Sequence, residues 1–475
     1  MQQYQAHVAA LLVETELELR QRLRSVRDLD GIETAARSVA DGLARRLVED
    51  LLAGADEVVS RGVPCSWRRI GHRTRNVLST VGPLRLKRRL YRDAKGQCRF
   101  PLDEELGLAA HVRATARLQA IAVELCSRVS FRLAASLMRK VLPAAPSPVA
   151  LHRLVARVGD RRQRETTELR RQVFDQGEPG SGERRVARLF VEADGKWVHL
   201  QRTPGRRDLE IYLGLAHEGG ERESPRHWRL KAKQVHLHIG GGNAFWEGFS
   251  ARLGQRYDLR DTAVVINGDG ADWVQRGPVY FHRSYGQLDR FHLIEALRRV
   301  LPAGDWRRVY PSLCEGQFLP AVRAILRHGH PDGGAVIQYL ENNRRGLPDY
   351  RSQAGFQDDP SLRGLGSAEA NIDKVIAIRM SKRGMAWTVP GARRMANVLE
   401  ATHNGVVAGY VARPPRQRLL RRRLKPFLRK QANHPLEGVG REEALRHPWA
   451  DAAAGRGFGS LLRHIGRPPT LWEQN

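Results

Sequence analysis

The chain has 475 residues, 41% of them hydrophobic, which is enough for roughly two to four globular domains. Its 80 Lys and Arg residues face 51 Asp and Glu, a formal net charge of +29, so the expected partner is a polyanion, nucleic acid above all. Cys65, Cys98, Cys126 and Cys314 are too scattered for a zinc-finger ladder or a disulfide framework, no run has the length of a membrane span, and Met1-Gln2-Gln3-Tyr4-Gln5 lacks a secretory pattern. A cytoplasmic protein that reaches DNA is the expectation.

Residues 1–62 read as an N-terminal helical region, with apolar residues at helical spacing around Val13-Glu14-Thr15-Glu16-Leu17 and after Asp30. It suits a small helical bundle or a dimerising segment. Residues 63–107 are β-rich. Thr80-Val81-Gly82-Pro83-Leu84-Arg85-Leu86-Lys87-Arg88-Arg89-Leu90-Tyr91-Arg92 alternates apolar and basic residues, as a strand pair with one basic face does.

Residues 108–162 hold three helical segments. The second, Phe131 to Lys140, is amphipathic, and Ser147-Pro148 supplies an N-cap and a first-turn proline for the third. There Leu151, Leu154 and Val155 turn inward while His152, Arg153 and Arg157 project, a pattern that fits a helix-turn-helix reading DNA. Any helical hairpin shows the same spacing. Residues 163–185, highly charged and containing Gly177-Glu178-Pro179-Gly180-Ser181-Gly182, are expected to be a linker.

The chemistry is expected in residues 186–400. A strand ends near Asp194, Lys196 to Gln201 forms a second, Leu209 to Ala216 a third, a helix runs near Phe245 to Leu253, and Thr262 to Asp269 is a buried β run ending at a turn. Antiparallel strands, a helix, a further strand and later helices follow the order of an RNase H-like domain in an α/β chain. A helical insertion is expected at about 293–362, and the region 401–475 is basic.

Three acidic motifs stand at the ends of these elements: Val191-Glu192-Ala193-Asp194-Gly195, Ile266-Asn267-Gly268-Asp269-Gly270-Ala271 and Gly366-Ser367-Ala368-Glu369. Asp269 lies 75 residues after Asp194, and Glu369 a further 100 residues on, the longer interval leaving room for the insertion. Ser367 is placed to cap the helix that begins beside Glu369, with Ile372, Val375, Ile376 and Met380 as its apolar face. Phosphodiester cleavage is served by two Mg²⁺ ions about 3.5–4 Å apart, with Mn²⁺ an acceptable substitute. Mg²⁺ prefers carboxylate oxygen. Asp194 is the natural bridging ligand, with Asp269 on one ion and Glu369 on the other. Taken singly, an Asp before Gly is a turn residue and an exposed Glu means nothing. Glu192, Asp272, Glu341 and Asp373 are rival carboxylates.

Four segments in order resemble the ISLre-type family of bacterial insertion-sequence transposases. They are Phe190-Val191-Glu192-Ala193-Asp194-Gly195, Gly268-Asp269-Gly270-Ala271-Asp272-Trp273, Leu288-Asp289-Arg290-Phe291-His292-Leu293 and Arg379-Met380-Ser381-Lys382-Arg383-Gly384-Met385-Ala386-Trp387. The likeness extends from the alternating strand near residue 84 to Gly391-Ala392-Arg393-Arg394-Met395. It implies an RNase H-like DDE core with Asp194, Asp269 and Glu369 as catalytic metal ligands, and the element's own terminal repeats and target DNA as substrates. It also implies a dimer or higher oligomer on paired ends. One departure stands out: Ala370 follows Glu369 where the family pattern leads one to expect Gly.

Asp289-x-x-His292 resembles a motif found after the second aspartate in related transposases, and is expected either to support the metal ligands from behind or to contact DNA ends, without binding metal itself; a capping Asp with a satisfied His is the plainer reading. Lys374, Lys382 and Arg383 on or after the Glu369 helix, and Arg421, Arg422 and Arg423 in the dense run from Arg413 to Lys430, are expected to bind phosphate. Two rival functions fit the same residues: an RNase H-like nuclease or resolvase without strand transfer, and a non-catalytic DNA-binding protein derived from a transposase.

Overall fold

Helical periodicity near the N-terminus becomes two long helices, α1 (Gln2–Leu23) and α2 (Leu29–Ser60), in the computed structural model, which describes residues 2–411 apart from 179, 225, 226 and 358. Asp28 starts α2 by accepting from the Gly31 N–H at 2.8 Å. The described residues divide into two units, one built from residues up to 53, 72–88 and 108–411, the other from 54–71 and 89–107. Among the described residues, no helix is long and apolar enough to cross a membrane.

The alternating segment forms β1 (Arg68–Ser79) and β2 (Gly82–Arg92), followed by β3 (Cys98–Arg99) and the short α3 (Pro101–Glu105). In the first unit, Leu84 and Leu86 turn inward with Val77 while Arg85 and Lys87 are exposed. In the second, Tyr91 pairs with Arg99, and Arg89 bonds Asp56 at 2.7 Å.

Three helices follow: α4 (Ala116–Arg128), α5 (Phe131–Val141) and α6 (Pro148–Arg170), with Thr115, Ser130 and Ser147 as side-chain N-caps. The stretch expected as a linker from 163 is helical through Arg170 and continues as a π-helical turn, Arg171–Asp175. Its charge misleads because its first part is the second half of a packed helix: Thr166 is buried, and Arg170 donates to Glu247 Oε2 at 3.1 Å. A charged helix packed along one face has the composition of a linker and the packing of a core.

The centre of the first unit is a mixed sheet. Its strands are β4 (Arg188–Leu200), β5 (Asp208–His217), β8 (Gln234–His238), β9 (Ala263–Gly268) and β10 (Arg283–Leu288), with the small hairpin β6 (Gly220–Ser224) and β7 (His227–Leu230) between β5 and β8. The order across the sheet is β10-β9-β4-β5-β8. β4, β5 and β8 are antiparallel neighbours, while β9 runs parallel to β4 and β10 parallel to β9. The two strands expected on either side of Asp194 are one continuous strand, with Gly195 opposite Tyr212. The break expected between Asp194 and Lys196 does not occur, and the space where a Gly195 Cβ would lie is filled by the Glu210 carboxylate.

Helix α7 (Gly242–Gly254) packs Phe245, Trp246 and Phe249 into the β4–β9 face with Leu189, Val191 and Ile266. After the one-turn α8 (Asp272–Gln275) and β10 come α9 (Arg290–Val300), α10 (Ala303–Cys314), α11 (Leu319–His328) and α12 (Gly333–Asn342). These four helices share their own apolar cluster, in which Leu293, Leu297, Leu313, Ile325 and Leu340 are buried.

The last helical run is α13 (Ala368–Ile372), a π segment (Asp373–Ala377) and α14 (Ile378–Met380), with Ile372, Val375, Ile376 and Met380 buried. It is followed by β11 (Ala386–Trp387), parallel to the end of β4, then α15 (Val389–His403) and α16 (Val407–Val411). Asn404 clasps the Val235 backbone through both of its amide atoms, at 2.8 and 2.7 Å, tying the end of α15 to β8.

Candidate metal centre

Parallel pairing of β4 with β9 puts Ala193 opposite Gly268, so Asp194 follows on β4 while Asp269 follows immediately after the end of β9. The Asp289 N–H donates to the Gly268 carbonyl at 2.8 Å, bringing the start of α9 to the same edge. Ends of parallel strands, where loops converge, are where α/β folds collect their reactive groups.

At this edge Asp194, His292 and Glu369 each offer one ligand atom, and the three atoms lie within 4.8 Å of one another. They come from β4, α9 and α13, elements far apart in sequence. Asp194 is only 9% exposed, whereas Glu369 is exposed and His292 half-buried. Burial raises the Asp194 carboxyl from 3.8 to about 6; the Gly195 N–H and His292 oppose the rise, and the charges of Asp269 and Glu369 add to it. A buried carboxylate crowded by two others is disfavoured in its charged form until a cation arrives. Carboxylate oxygens around an imidazole are a donor set that could hold a divalent ion.

Asp269 is held by its surroundings. Its Oδ1 accepts from the Ala271 N–H at 3.0 Å, and its backbone carbonyl accepts from the Tyr339 hydroxyl at 2.8 Å. Gly270 has φ +86, and an added Cβ there would overlap the Asn343 amide. Tyr339 and Asn343 lie in and just after α12, so this helix and its end grip the Asp269 loop directly. On β5, Glu210 is raised by burial and by the charge of Asp269, which makes it a further carboxylate beside the centre.

The structure distributes the expected DNA contacts as follows. His292 sits with the acidic cluster rather than apart from it. Asp289 is buried; its Oδ1 accepts from the Phe291 and His292 N–H groups and its Oδ2 from Asn267 Nδ2 at 2.7 Å. It caps α9, as the plainer reading of its motif has it, and is enclosed rather than presented to DNA. The reason is local: Asp at an N-cap satisfies orphan helix N–H groups. His152, Arg153 and Arg157 are exposed on α6, with Arg157 also donating to Gln119 Oε1 at 2.6 Å. Lys374 and Arg383 are exposed, and Lys382 pairs with Asp373 at 2.6 Å. Arg421, Arg422 and Arg423 and the rest of the basic run from 413 lie outside the described residues.

Ser367 makes no side-chain cap for α13. That role falls to Glu192, fully buried on β4, whose Oε2 accepts from the N–H groups of Gly366, Ser367 and Ala368 at 2.9, 2.5 and 3.1 Å. Of the other rival carboxylates, Asp373 is engaged by Lys382, Glu341 pairs with Arg344 at 3.4 Å, and Asp272 is exposed at the start of α8. No local signal marked Glu210 or Tyr339, and Glu192 stood out only as a rival ligand and not as an anchor for α13. Each acts across a contact between distant segments.

The profile of the uncharacterised protein family UPF0236 matches residues 28–417, which include the whole sheet and all three ligand-bearing elements. The chain belongs to the UPF0236 family. A UPF0236 protein of Caldanaerobacter subterraneus subsp. tengcongensis is 22% identical over 384 residues, covering 78% of this chain and 77% of the relative. A second from the same organism, whose one name joins eleven loci, is also 22% identical over 384 residues, 78% of this chain and 76% of its own length. A Streptococcus gallolyticus UPF0236 protein, named for its place in the region 3′ of vanSb, is 21% identical over 412 residues, 83% of this chain and 87% of the relative.

Proposed function

We propose that this UPF0236 protein is a DNA transposase of the DDE type, acting on the ends of its own mobile element. The observation that carries the reading is the meeting of Asp194, Glu369 and His292 beside Asp269 at the sheet edge of a strongly basic chain. The strand order supports an RNase H-like core. Renumbered within the sheet, it runs 3-2-1-4-5, with the first three strands antiparallel and the last two parallel to the first. The relative whose one name joins eleven loci has the multiplicity expected of a mobile sequence.

Asp194, Asp269 and Glu369 would hold divalent cations, Mg²⁺ or Mn²⁺, with His292 adding a nitrogen donor to the same pocket. Bound cations supply Lewis acidity to the attacking and leaving oxygens of a phosphodiester. The protein's part is to orient. Asp194 is fixed on the central strand, and the Asp269 loop is pinned by Tyr339 and Asn343. Exposed Arg and Lys residues such as Arg153, Lys374 and Arg383 engage the phosphate backbone.

In the first step a water oxygen bonds to phosphorus as the bond to the 3′ oxygen breaks, leaving a 3′-hydroxyl and a 5′-phosphate. In the second, that hydroxyl attacks a target phosphodiester, and the target's own 3′ oxygen leaves with a proton. Pairing two ends calls for a dimer or higher oligomer.

The test is incubation of the protein with Mg²⁺ or Mn²⁺ and DNA carrying the gene's own flanking ends plus a target plasmid. Joined products identify a transposase. Nicking with no joined product identifies a nuclease instead, and binding with neither reaction leaves a DNA-binding protein.

A further inference from the structure

Glu192 and Asp194 alternate by one residue on β4 and therefore share a face of the sheet. Asp194 is a candidate ligand. Glu192 holds, through three backbone N–H groups, the residues immediately before Glu369, which is another. One strand thus carries one ligand and the anchor of a second. The other Glu192 oxygen, Oε1, faces His217 Nε2 at 3.2 Å, while the Gly219 N–H donates to His217 Nδ1 at 3.2 Å. That leaves Nε2 as the hydrogen-bearing nitrogen, so His217 donates to Glu192. The Phe190 ring stacks on His217 with centroids 5.4 Å apart, fixing the imidazole plane.

We propose that Glu192 is a positioning residue of the metal centre, setting the Glu369 carboxylate against Asp194 by anchoring the start of α13 to β4, with His217 holding Glu192 in place. The assignment rests on the metal-centre reading above. A fully buried carboxylate satisfied by four donors is held in one place, and it fixes the segment that supplies three of them. The geometry at stake is the gap between two candidate ligands contributed by segments about 175 residues apart. Groups that orient metal ligands typically change metal affinity or activity by about 10–100-fold when removed.

The experiment measures Mn²⁺ dissociation constants of the full-length protein by the free-Mn²⁺ electron paramagnetic resonance signal, alongside thermal melting. Parent, Glu192→Gln, Glu192→Ala and Asp194→Asn are compared. Glu192→Gln keeps shape and one acceptor oxygen, so it reports even if Glu192→Ala does not fold. The expected result is weaker Mn²⁺ binding in Glu192→Gln, and about 10–100-fold weaker binding in a folded Glu192→Ala. His217→Ala is expected to weaken binding less than Glu192→Ala.

A purely architectural role would lower the melting temperature and leave Mn²⁺ affinity at the parent value. That outcome, with Asp194→Asn losing Mn²⁺, would overturn the assignment of Glu192 alone. Parent-like Mn²⁺ binding in Asp194→Asn would instead remove the metal-centre reading on which it stands.

Discussion

The Tyr339 hydroxyl donates to the backbone carbonyl of Asp269 at 2.8 Å, joining α12 to the loop that carries a candidate metal ligand. Burial and the nearby charges of Asp269 and Asp289 hold the phenol far above its ordinary pKa, so it remains a donor at every working pH. Tyr339→Phe is expected to cost about 1 kcal/mol of stability and to lower the cleavage rate more than the affinity for DNA. Gly270→Ala should be worse, because it combines a strained positive φ with overlap on Asn343. Single-turnover cleavage and melting curves of the two variants check both. Parent-like cleavage in Gly270→Ala would show that the loop geometry does not matter.

Without cations, Asp194 works against the fold. Its pKa is raised from 3.8 to about 6, so the stability that its protonated form contributes is present below pH 3.8 and is lost as pH rises through about 6. That rise corresponds to roughly 3 kcal/mol as an upper bound. Asp194→Asn should therefore melt higher than the parent at pH 7–8 in chelator, and equal it near pH 4. A variant no more stable than the parent at pH 8 would contradict the electrostatic account of the site.

Acid should destabilise the protein through two histidines. Burial, reinforced by cationic neighbours, lowers His238 from 6.5 to about 3 and His403 from 6.5 to about 4. A depressed histidine contributes stability above its unfolded pKa of 6.5 and loses it as pH falls toward the folded value. Equilibrium unfolding between pH 7 and 4 should show a loss of several kcal/mol, reduced in His403→Gln. A flat profile over that range would oppose it.

DNA binding should be electrostatic. With net charge +29 and exposed His152, Arg153 and Arg157 on α6, the logarithm of affinity should fall steeply and linearly with the logarithm of salt concentration. Arg153→Ala with Arg157→Ala should reduce the slope by roughly one to two if α6 touches phosphate. An unchanged slope would place the DNA elsewhere.

Much of the candidate centre is legible in the chain. Asp194 and Asp269 stand in or after apolar strand runs, and such runs declare themselves by composition. Glu369 opens a helix whose apolar face, Ile372 to Met380, is periodic. The missing parts are those that depend on contacts across the fold. β4 looks like two strands because the need for Gly195 is imposed by Glu210 on the neighbouring strand. Ser367 looks like a cap, but a buried glutamate from β4 takes the place. Asp289 looks like a DNA contact until the packing of α9 shows it enclosed. The charged residues from 163 to 170 look like a linker because the partner of Arg170, Glu247, lies 77 residues away. In each case local pattern fixes the residue type and tertiary packing decides its use.

The most direct measurement is metal-dependent nicking of DNA carrying the gene's own ends by the parent, Asp194→Asn, Asp269→Asn and Glu369→Gln, with DNA affinity measured in parallel. Nicking by the parent in Mg²⁺ or Mn²⁺, lost to background in all three variants while DNA binding persists, is the result expected of this centre. A parent that nicks equally well in chelator, or an Asp269→Asn variant that cuts as the parent does, would contradict it.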